Sequence, residues 1–199
     1  MAPSHDLRFV VLTGGPGAGK TAVLETIRHN FCEHVIVLPE SASIIFGGGF
    51  PRKTTASALR SAQRAIFRVQ RELERMAEDE RAGAIVLCDR GTLDGLAYWP
   101  DDDDSFFAEN ETTREAEMRR YSMVIHLRTP AAANGYDHRN PLRIESATEA
   151  AAIDERILRV WEGHPRRAMV ASEIDFLDKV ARAIALVREE LPTCCRSVK

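Results

Sequence analysis

Short hydrophobic runs alternate along the chain with segments in which hydrophobic residues recur every three or four positions. Four runs rich in Val and Ile, and a weaker fifth, lie at residues 9–13, 35–38, 84–88, 123–127 and 168–171. Runs of this length predict strands that are covered on both faces, as in a parallel sheet. The segments between them have the spacing of amphipathic helices. The longest of their hydrophobic stripes consists of Leu59, Ala62, Ile66, Val69, Leu73 and Met76.

The alternation of strands and helices predicts an α/β fold with a mainly parallel, five-stranded sheet and helices on both faces. In such a sheet the ligand site lies beyond the carboxyl ends of the strands. With 199 residues, of which 44% are hydrophobic, the chain has the size of one globular domain. We therefore expect a single domain over residues 1–199, with its chemistry in the loops that follow the strands.

The charge balance and the hydrophobic pattern argue against several classes of partner. Lys and Arg number 27 against 30 Asp and Glu, so the net charge of −3 gives no general field that attracts nucleic acid. No hydrophobic run reaches the length of a membrane span, and the first residues lack the apolar segment of a signal peptide. The cysteines lack the spacing of zinc ligands. We expect a cytoplasmic protein that binds neither nucleic acid nor membranes.

A glycine-rich motif lies between the first predicted strand and the first predicted helix. The motif matches G-x-x-x-x-G-K-[ST] and consists of Gly14, Gly15, Pro16, Gly17, Ala18, Gly19, Lys20 and Thr21. Backbone N–H groups of such a loop surround phosphate oxygens, and the helix directs the positive end of its dipole at them. Lys20 would bridge the outer phosphates of a nucleotide, and Thr21 would bind Mg²⁺. Nucleotide binding is therefore the main prediction from the sequence.

The third predicted strand ends in Asp89, which is followed by Arg90. A carboxylate in this position is well placed to hold Mg²⁺ beside the phosphates. ATP-hydrolysing motors commonly follow this Asp with a Glu that orients water, whereas a guanidinium cannot accept a proton. Arg90 can hold an anionic group or stabilise the phosphoryl group during transfer, or it can form a purely structural ion pair. The pair favours a phosphotransferase over a motor.

These motifs resemble those of a known group of proteins. The phosphate loop, the DRG sequence after the third strand and an Arg-containing segment after the fourth resemble the P-loop kinases of nucleosides and nucleotides. The sequences PESAS and DRGTLDGLAYW and the segment from Arg139 resemble bacterial proteins described as AAA-type ATPases, which are similar to the kinase domain that phosphorylates nicotinamide riboside. The resemblance covers nearly the whole chain. It implies a three-layer P-loop NTPase fold, ATP and Mg²⁺ as cofactors, and a lid at about residues 128–146.

The resemblance also implies roles for individual residues. Asp89 would hold Mg²⁺ or accept the proton of the acceptor hydroxyl, and Arg90 would hold the charged part of the acceptor. Arg128 would contact the nucleotide from the lid. Arg139 and Arg143 would act on the transferred phosphate from the same segment, which would also exclude water. Surface ion pairs are the alternative for Arg128 and Arg143.

Three further residues are candidates for the acceptor site. Glu40 follows the second strand, where a carboxylate can accept a hydroxyl proton or bind a ribose. It could equally cap a turn or pair with an Arg. Asp94 would lie near Glu40, at the carboxyl ends of the strands, if a helix begins near Gly91. Gln70 could line the acceptor pocket from the long helix, on which we interpret Phe67 as an ordinary core residue.

Two clusters of like charge are interpreted as solvated surface. The row of arginines on the long helix, opposite its hydrophobic stripe, comprises Arg60, Arg64, Arg68, Arg71 and Arg75. We expect this row to be balanced by acids of the same helix rather than to bind an anion. These acids are Glu72, Glu74 and Glu78. The acidic run of residues 101–104 is expected to be a loop.

Two functions fit these predictions. The first is a kinase that transfers the γ-phosphate of ATP to a nucleoside-like or other small-molecule acceptor. The second is an ATPase or nucleotide-dependent switch that acts on a protein partner. The guanine-reading motif Asn-Lys-x-Asp does not occur in the sequence, which favours ATP over GTP. The identity of the acceptor, the choice of catalytic base and the oligomeric state are left open at this point.

Overall fold

The computed structural model describes residues 6–80, 84–130, 147–171 and 175–192. Its strands are β1 (Arg8–Thr13), β2 (Val35–Leu38), β3 (Ile85–Asp89), β4 (Tyr121–Leu127) and β5 (Arg167–Val170). Its helices are α1 (Lys20–Asn30), α2 (Ser41–Gly47), α3 (Ala56–Glu80), α4 (Asp103–Asn110), α5 (Arg114–Arg119), α6 (Ala147–Val160) and α7 (Phe176–Glu190). A 3₁₀ helix (Thr92–Tyr98) follows β3.

The strands form one five-stranded sheet in the order β2-β3-β1-β4-β5. Every neighbouring pair is parallel. In this register Leu12 of β1 lies opposite Asp89 of β3, and Thr13 lies opposite His126 of β4. The loops that follow the strands therefore meet at one edge of the sheet, with the loop after β1 at its centre. The predicted α/β fold with a parallel, five-stranded sheet is confirmed.

Both faces of the sheet are covered, because the central strands are hydrophobic on both sides. One face packs against α3, α6 and the 3₁₀ helix, and its buried residues include Val11, Val86, Val124, Phe67, Leu93 and Ile157. The other face packs against α1 and α7, and its buried residues include Val10, Leu12, Leu87, Leu24, Ile125 and Val187. The continuous hydrophobic runs in the sequence reflect this burial on two faces.

The most buried stripe of the long helix α3 is displaced from the predicted one, although Ala62 belongs to both and Leu73 of the predicted stripe packs against the core. Its buried residues are Ala62, Gln63, Phe67, Gln70, Glu74 and Ala77. This stripe lies one position further along the helix than the predicted one, so Met76 is exposed. The reason is that polar side chains of the buried stripe have partners inside the protein, as described below. Although α3 has 25 residues, neither it nor any other helix in the described ranges is apolar enough to cross a membrane.

The two charged clusters of the sequence meet each other. Arg60 pairs with Asp101, and Arg64, Arg68 and Arg71 pair with Glu109, Glu111 and Glu117 of the α4–α5 region. The acidic run is a loop only over its first two residues, because α4 begins at Asp103 and Asp102 caps it by accepting a hydrogen bond from Ser105 N at 2.9 Å. The predicted pairing with acids of the same helix was therefore wrong for most of the row: only Arg75 pairs within α3.

Candidate functional site

The glycine-rich loop connects β1 to α1 and is held by close backbone packing. A Cβ atom on Gly14 would lie 2.1 Å from the carbonyl oxygen of Leu127, so only glycine fits this position. Gly14, Gly17 and Gly19 all have positive φ angles, which side chains disfavour. The loop therefore wraps around the amino terminus of α1, where backbone N–H groups and the helix dipole favour an anion.

Lys20 is folded against this loop. Its Nζ donates hydrogen bonds to the carbonyl oxygens of Gly14 at 2.9 Å and Gly15 at 3.2 Å. Burial, together with the positive charge of Arg90, lowers the pKa of Lys20 from 10.5 to about 8. Phosphate oxygens bound in the loop would offer this ammonium group stronger partners than two neutral carbonyls.

Arg90 and Glu40 form an ion pair beside the loop. Arg90 Nε donates to Glu40 Oε1 at 2.7 Å, and Arg90 Nη1 donates to the carbonyl oxygen of Gly14 at 3.2 Å. Although burial alone would raise it, the charges of Arg90 and Lys20 hold the pKa of Glu40 at about 2. Arg90 has a φ of 71°, an unusual conformation for a residue other than glycine. The strained backbone thus directs the guanidinium at the phosphate loop.

Asp89 ends β3 next to Arg90, and its carboxylate is not fully satisfied. Its Oδ1 is buried without a hydrogen-bond partner. Burial raises the pKa of Asp89 from 3.8 to about 6, against the attraction of Lys20. A buried carboxylate oxygen without a donor suits a cation or a proton, so this residue fits the predicted Mg²⁺ site. Thr21, which lies exposed at the first turn of α1, could supply a second oxygen.

Both oxygens of Asp94 are engaged by the surrounding protein. Thr13 Oγ1 donates to Asp94 Oδ2 at 2.7 Å, and Trp161 Nε1 donates to Asp94 Oδ1 at 2.6 Å. The residue lies in the first turn of the 3₁₀ helix, close to the predicted helix start at Gly91. Its contacts join the ends of β1, the 3₁₀ helix and the segment after α6, and Arg90 lies 3.8 Å away.

A cavity of about 620 Å³ extends from the phosphate loop between α2, α3 and the 3₁₀ helix. Its polar wall includes Lys20, Thr21, Glu40, Gln63, Gln70, Asp89, Arg90 and Asp94. Its hydrophobic wall includes Phe46, Leu59, Phe67, Ala97, Tyr98 and Trp99. A single chamber therefore brings all three predicted acceptor residues, Glu40, Gln70 and Asp94, to the same space as the phosphate loop. This volume and mixed lining are typical of small-molecule sites.

Gln70 connects the cavity to a buried polar network. It accepts a hydrogen bond from Ser41 Oγ at 2.7 Å and donates from Nε2 to Glu74 Oε1 at 2.9 Å. Glu74 is fully buried and also accepts hydrogen bonds from Arg120 and from the hydroxyl of Tyr121. This carboxylate was wrongly placed on the solvated face by the sequence analysis. Its position four residues after Gln70 and seven after Phe67 was the signal that it shares their face.

Arg128 lies at the end of β4 and faces α6. Its guanidinium pairs with Glu155, and its Nε lies 3.2 Å from Asp154 Oδ2. The same Asp154 accepts hydrogen bonds from Gly15 N at 2.8 Å and from His126, which it approaches to 3.0 Å. Although burial opposes its charge, these partners lower the pKa of Asp154. The other two candidates of the predicted lid, Arg139 and Arg143, lie outside the described residues.

Two functional candidates escaped the sequence analysis because they lie on α6, far along the chain from the phosphate loop. Asp154 fixes a backbone N–H of that loop. Arg156, two residues further along, is exposed and lines the cavity. The pattern of α6 in the sequence shows only an amphipathic helix, so neither contact has a local signal.

Among the described residues, no group of three or more His, Cys, Asp or Glu side chains could by itself hold a metal ion. Mg²⁺ bound with a nucleotide typically takes one or two protein oxygens, with phosphate and water oxygens as its other ligands. Thr21 and Asp89 match that requirement by their chemistry and by their common place in the cavity wall.

Comparisons with known proteins place the chain in a family. A deoxyadenosine kinase from M. mycoides, whose structure was solved with bound dATP, has a similar fold, with a TM-score of 0.61 and 11% sequence identity. The match covers 90% of this chain and 98% of that one. No curated protein matches the sequence. The profile of a family described as AAA domain matches residues 9–178. The fold of the chain is therefore similar to that of a P-loop nucleoside kinase, and the chain belongs to the family described as AAA domain.

Proposed function

We propose that the protein is a small-molecule kinase, which binds MgATP at the loop of residues 14–21 and transfers the γ-phosphate to an acceptor in the adjoining cavity. The observation that carries this proposal is the cavity of about 620 Å³ that opens directly onto Lys20 and Thr21. A hydrolase that uses water, or a switch that acts on a protein surface, has no need of a pocket of this size at this point. A kinase needs such a chamber to hold its acceptor in line with the γ-phosphate.

Two cations beside the loop are suited to stabilise the transferred group. Lys20 and Arg90 both contact the carbonyl oxygen of Gly14 from the cavity side. The charge of the transferring phosphoryl group is spread over its oxygens, and fixed cations in a site with little water stabilise that charge strongly. Arg128, Arg139 and Arg143 are proposed to add positive charge from the predicted lid, Arg128 on the nucleotide side.

The reaction requires that a proton leaves the acceptor hydroxyl as its oxygen attacks. The new bond joins that oxygen to the γ-phosphorus, and the bond from the γ-phosphorus to the β–γ bridging oxygen breaks, which releases ADP. We assign the proton to Asp89, because its Oδ1 has no hydrogen-bond partner and its pKa of about 6 lies near neutral pH. Glu40 is less suited, since Arg90 and Ser43 occupy its oxygens and its pKa is about 2.

Mg²⁺ would neutralise charge on the nucleotide phosphates when it is bound, and Thr21 would supply the protein oxygen for it, because an Asp89 carboxylate that holds the ion cannot also take the acceptor proton. Glu40 is assigned a positioning role, because its carboxylate orients the guanidinium of Arg90. Asp94 is assigned a similar role, since it joins the 3₁₀ helix to the end of β1. Gln70 would contact the acceptor directly, as part of the cavity wall.

The lining of the cavity supports a nucleoside-like acceptor. The hydrophobic wall contains the aromatic side chains of Phe67, Tyr98 and Trp99, and the buried Gln63 also lines the cavity. Aromatic faces and a buried amide suit a planar heterocycle with polar edges. The similar fold of a deoxyadenosine kinase is consistent with this acceptor class.

The proposal is tested by ADP release from MgATP in the presence of single nucleosides and of a dialysable metabolite extract. We expect at least one nucleoside, or the extract, to stimulate ADP release by the wild-type protein. The Lys20→Ala variant should release no ADP under any of these conditions. Steady ADP release that neither the nucleosides nor the extract changes would contradict the proposal. In that case water would be the phosphate acceptor, and a protein partner would be the target of the ATPase cycle.

A further inference from the structure

A buried histidine lies behind the phosphate loop, near the end of β4. His126 is fully buried, and in the sheet register it lies opposite Thr13, the last residue of β1. Its Nε2 lies 3.0 Å from Asp154 Oδ1. Its Nδ1 is buried and has no hydrogen-bond partner among the described residues. A polar ring with an unpaired buried nitrogen is kept at an energetic cost, so we expect His126 to do more than fill space.

The surroundings of His126 determine which of its nitrogens carries the proton. An ionised carboxylate can only accept hydrogen bonds, so the contact with Asp154 requires a proton on Nε2. A second proton, on Nδ1, would be buried without an acceptor. The hydrogen-bond partners therefore assign His126 as a neutral imidazole that donates to Asp154.

Asp154 passes this constraint on to the phosphate loop. Its Oδ1 accepts hydrogen bonds from both His126 and Gly15 N, the latter at 2.8 Å. Its Oδ2 faces the competing cation Arg128, with Nε at 3.2 Å. Without the imidazole donor, the guanidinium of Arg128 would draw the carboxylate away from Gly15. His126 therefore holds Oδ1 in place behind the loop.

The contact between α6 and the phosphate loop leaves no room for a substitute partner. A Cβ atom on Gly15 would lie 2.8 Å from Cβ of Asp154 and 2.9 Å from the carbonyl oxygen of Ala150. Thr129 Oγ1 donates to the carbonyl oxygen of Pro16 at 3.2 Å, on the same side of the loop. A contact too close for a methyl group cannot admit a bridging water. The backbone at Gly15 must therefore follow the position of the Asp154 carboxylate.

We propose that His126 is a positioning residue of the nucleotide site, which holds the phosphate loop in its binding shape through Asp154. The proposal rests on nucleotide binding at residues 14–21, a part of the proposed function, and not on the acceptor or on phosphate transfer. A loop that is fixed before the ligand arrives loses less conformational entropy on binding, which raises its affinity for phosphates. His126 acts in this role without contact to the ligand.

Two amide substitutions separate the hydrogen bond of His126 from its packing. The amide nitrogen of a glutamine can reach the position of the imidazole Nε2, whereas that of an asparagine extends only as far as Nδ1. The dissociation constant of inorganic tripolyphosphate is measured by calorimetry for wild type, His126→Gln and His126→Asn, together with Tm. We expect His126→Gln to bind within about twofold of wild type, and His126→Asn to bind about threefold to tenfold more weakly.

His164 provides a matched control, because it is also buried against the sheet but at the opposite end of β4. Its Nε2 lies 3.0 Å from the carbonyl oxygen of Tyr121, the first residue of that strand. His164→Gln and His164→Asn should lower Tm and leave the tripolyphosphate affinity unchanged. A loss of affinity in these variants equal to that of His126→Asn would show that affinity merely follows stability, and would overturn the proposal.

A measurement on the wild-type protein makes the test independent of how well the variants fold. NMR spectra of protein with isotope-labelled histidines report which imidazole nitrogen carries the proton. We expect His126 to be neutral, with its proton on Nε2. A proton on Nδ1 alone would overturn the proposal, because Nε2 could not then donate to Asp154.

The calorimetry can also contradict the role of His126 directly. Equal tripolyphosphate affinities of wild type and His126→Asn would overturn it, as would a loss in His126→Gln as large as that in His126→Asn. Failure of the wild-type protein to bind tripolyphosphate would refute the phosphate site itself, and this proposal with it. A protein that shows the expected affinities but transfers no phosphate would pass this test and fail the test of the proposed function.

Discussion

Asp89→Asn should make the protein more stable while removing its activity, because the folded protein holds this carboxylate at an energetic cost. Burial raises its pKa from 3.8 to about 6, in spite of the attraction of Lys20. At about 1.4 kcal/mol per pH unit, the difference between these two values corresponds to about 3 kcal/mol of destabilisation by the charged form. The structural source of the cost is the buried Oδ1, which has no hydrogen-bond partner.

The sign of the pH dependence follows from the direction of this shift. The pKa of Asp89 is higher in the folded state, so its destabilising effect is absent below about pH 4 and complete only above about pH 6. The neutral amide of Asn lacks this dependence. For a chain of this size we expect Asp89→Asn to raise Tm by about 5–10 °C at pH 8, and by about half as much at pH 5.

Thermal unfolding followed by circular dichroism, without nucleotide or Mg²⁺, measures the effect. Asp79→Asn is a matched control, because the Asp79 side chain is 75% exposed and its ion pair with Arg75 is long, at 3.8 Å. It should change Tm little at either pH. A Tm for Asp89→Asn at or below that of wild type at pH 8 would refute the reasoning, as would a gain in Tm that does not vary with pH.

Three other substitutions have distinct expected outcomes. Arg90→Ala should lower the rate of phosphate transfer by about a hundredfold or more while the affinity for ATP changes far less. Steady-state kinetics and calorimetry measure the two effects, with the exposed Arg75→Ala as the control. Equal losses of transfer rate and of ATP affinity would make Arg90 purely structural. Asp154→Asn should weaken ATP binding by about tenfold, because it weakens the hydrogen bond that holds Gly15 N of the phosphate loop. Glu155→Gln should leave ATP binding unchanged. Equal ATP affinities of the two variants would contradict a role of Asp154 in shaping the loop. Glu74→Gln should lower the free energy of unfolding by about 1–3 kcal/mol in urea titrations, because it removes the charge of a fully buried carboxylate that accepts hydrogen bonds from Gln70, Arg120 and Tyr121. An unchanged free energy of unfolding would contradict a structural role for this network.

The features that could be predicted from the sequence are those whose physical cause is local. The hydrophobic runs predicted the strands, since burial on both faces requires consecutive apolar residues. The loop of residues 14–21 could be placed between a strand and a helix, because its glycines, lysine and threonine are contiguous. Asp89 and Arg90 were found in the same way, as the last residue of β3 and the residue directly after it.

The features that the sequence did not reveal depend on contacts between distant parts of the chain. The buried face of α3 could not be fixed, because adjacent hydrophobic and polar stripes are both compatible with its sequence, and the polar partners of Glu74 come from Arg120 and Tyr121. Asp154 reaches the phosphate loop from a helix more than half the chain away. The hydrogen bond between His126 and Asp154 likewise exists only because α6 packs back against the end of β4.

The claim that phosphate passes to an acceptor in the cavity is tested most directly by following the label of γ-labelled ATP. Wild-type protein is incubated with MgATP and a dialysable metabolite extract, and the products are separated by chromatography. The account predicts that label appears on a small molecule, and that Lys20→Ala abolishes this product. Label found only in inorganic phosphate, with the same yield whether or not the extract is present, would contradict the account.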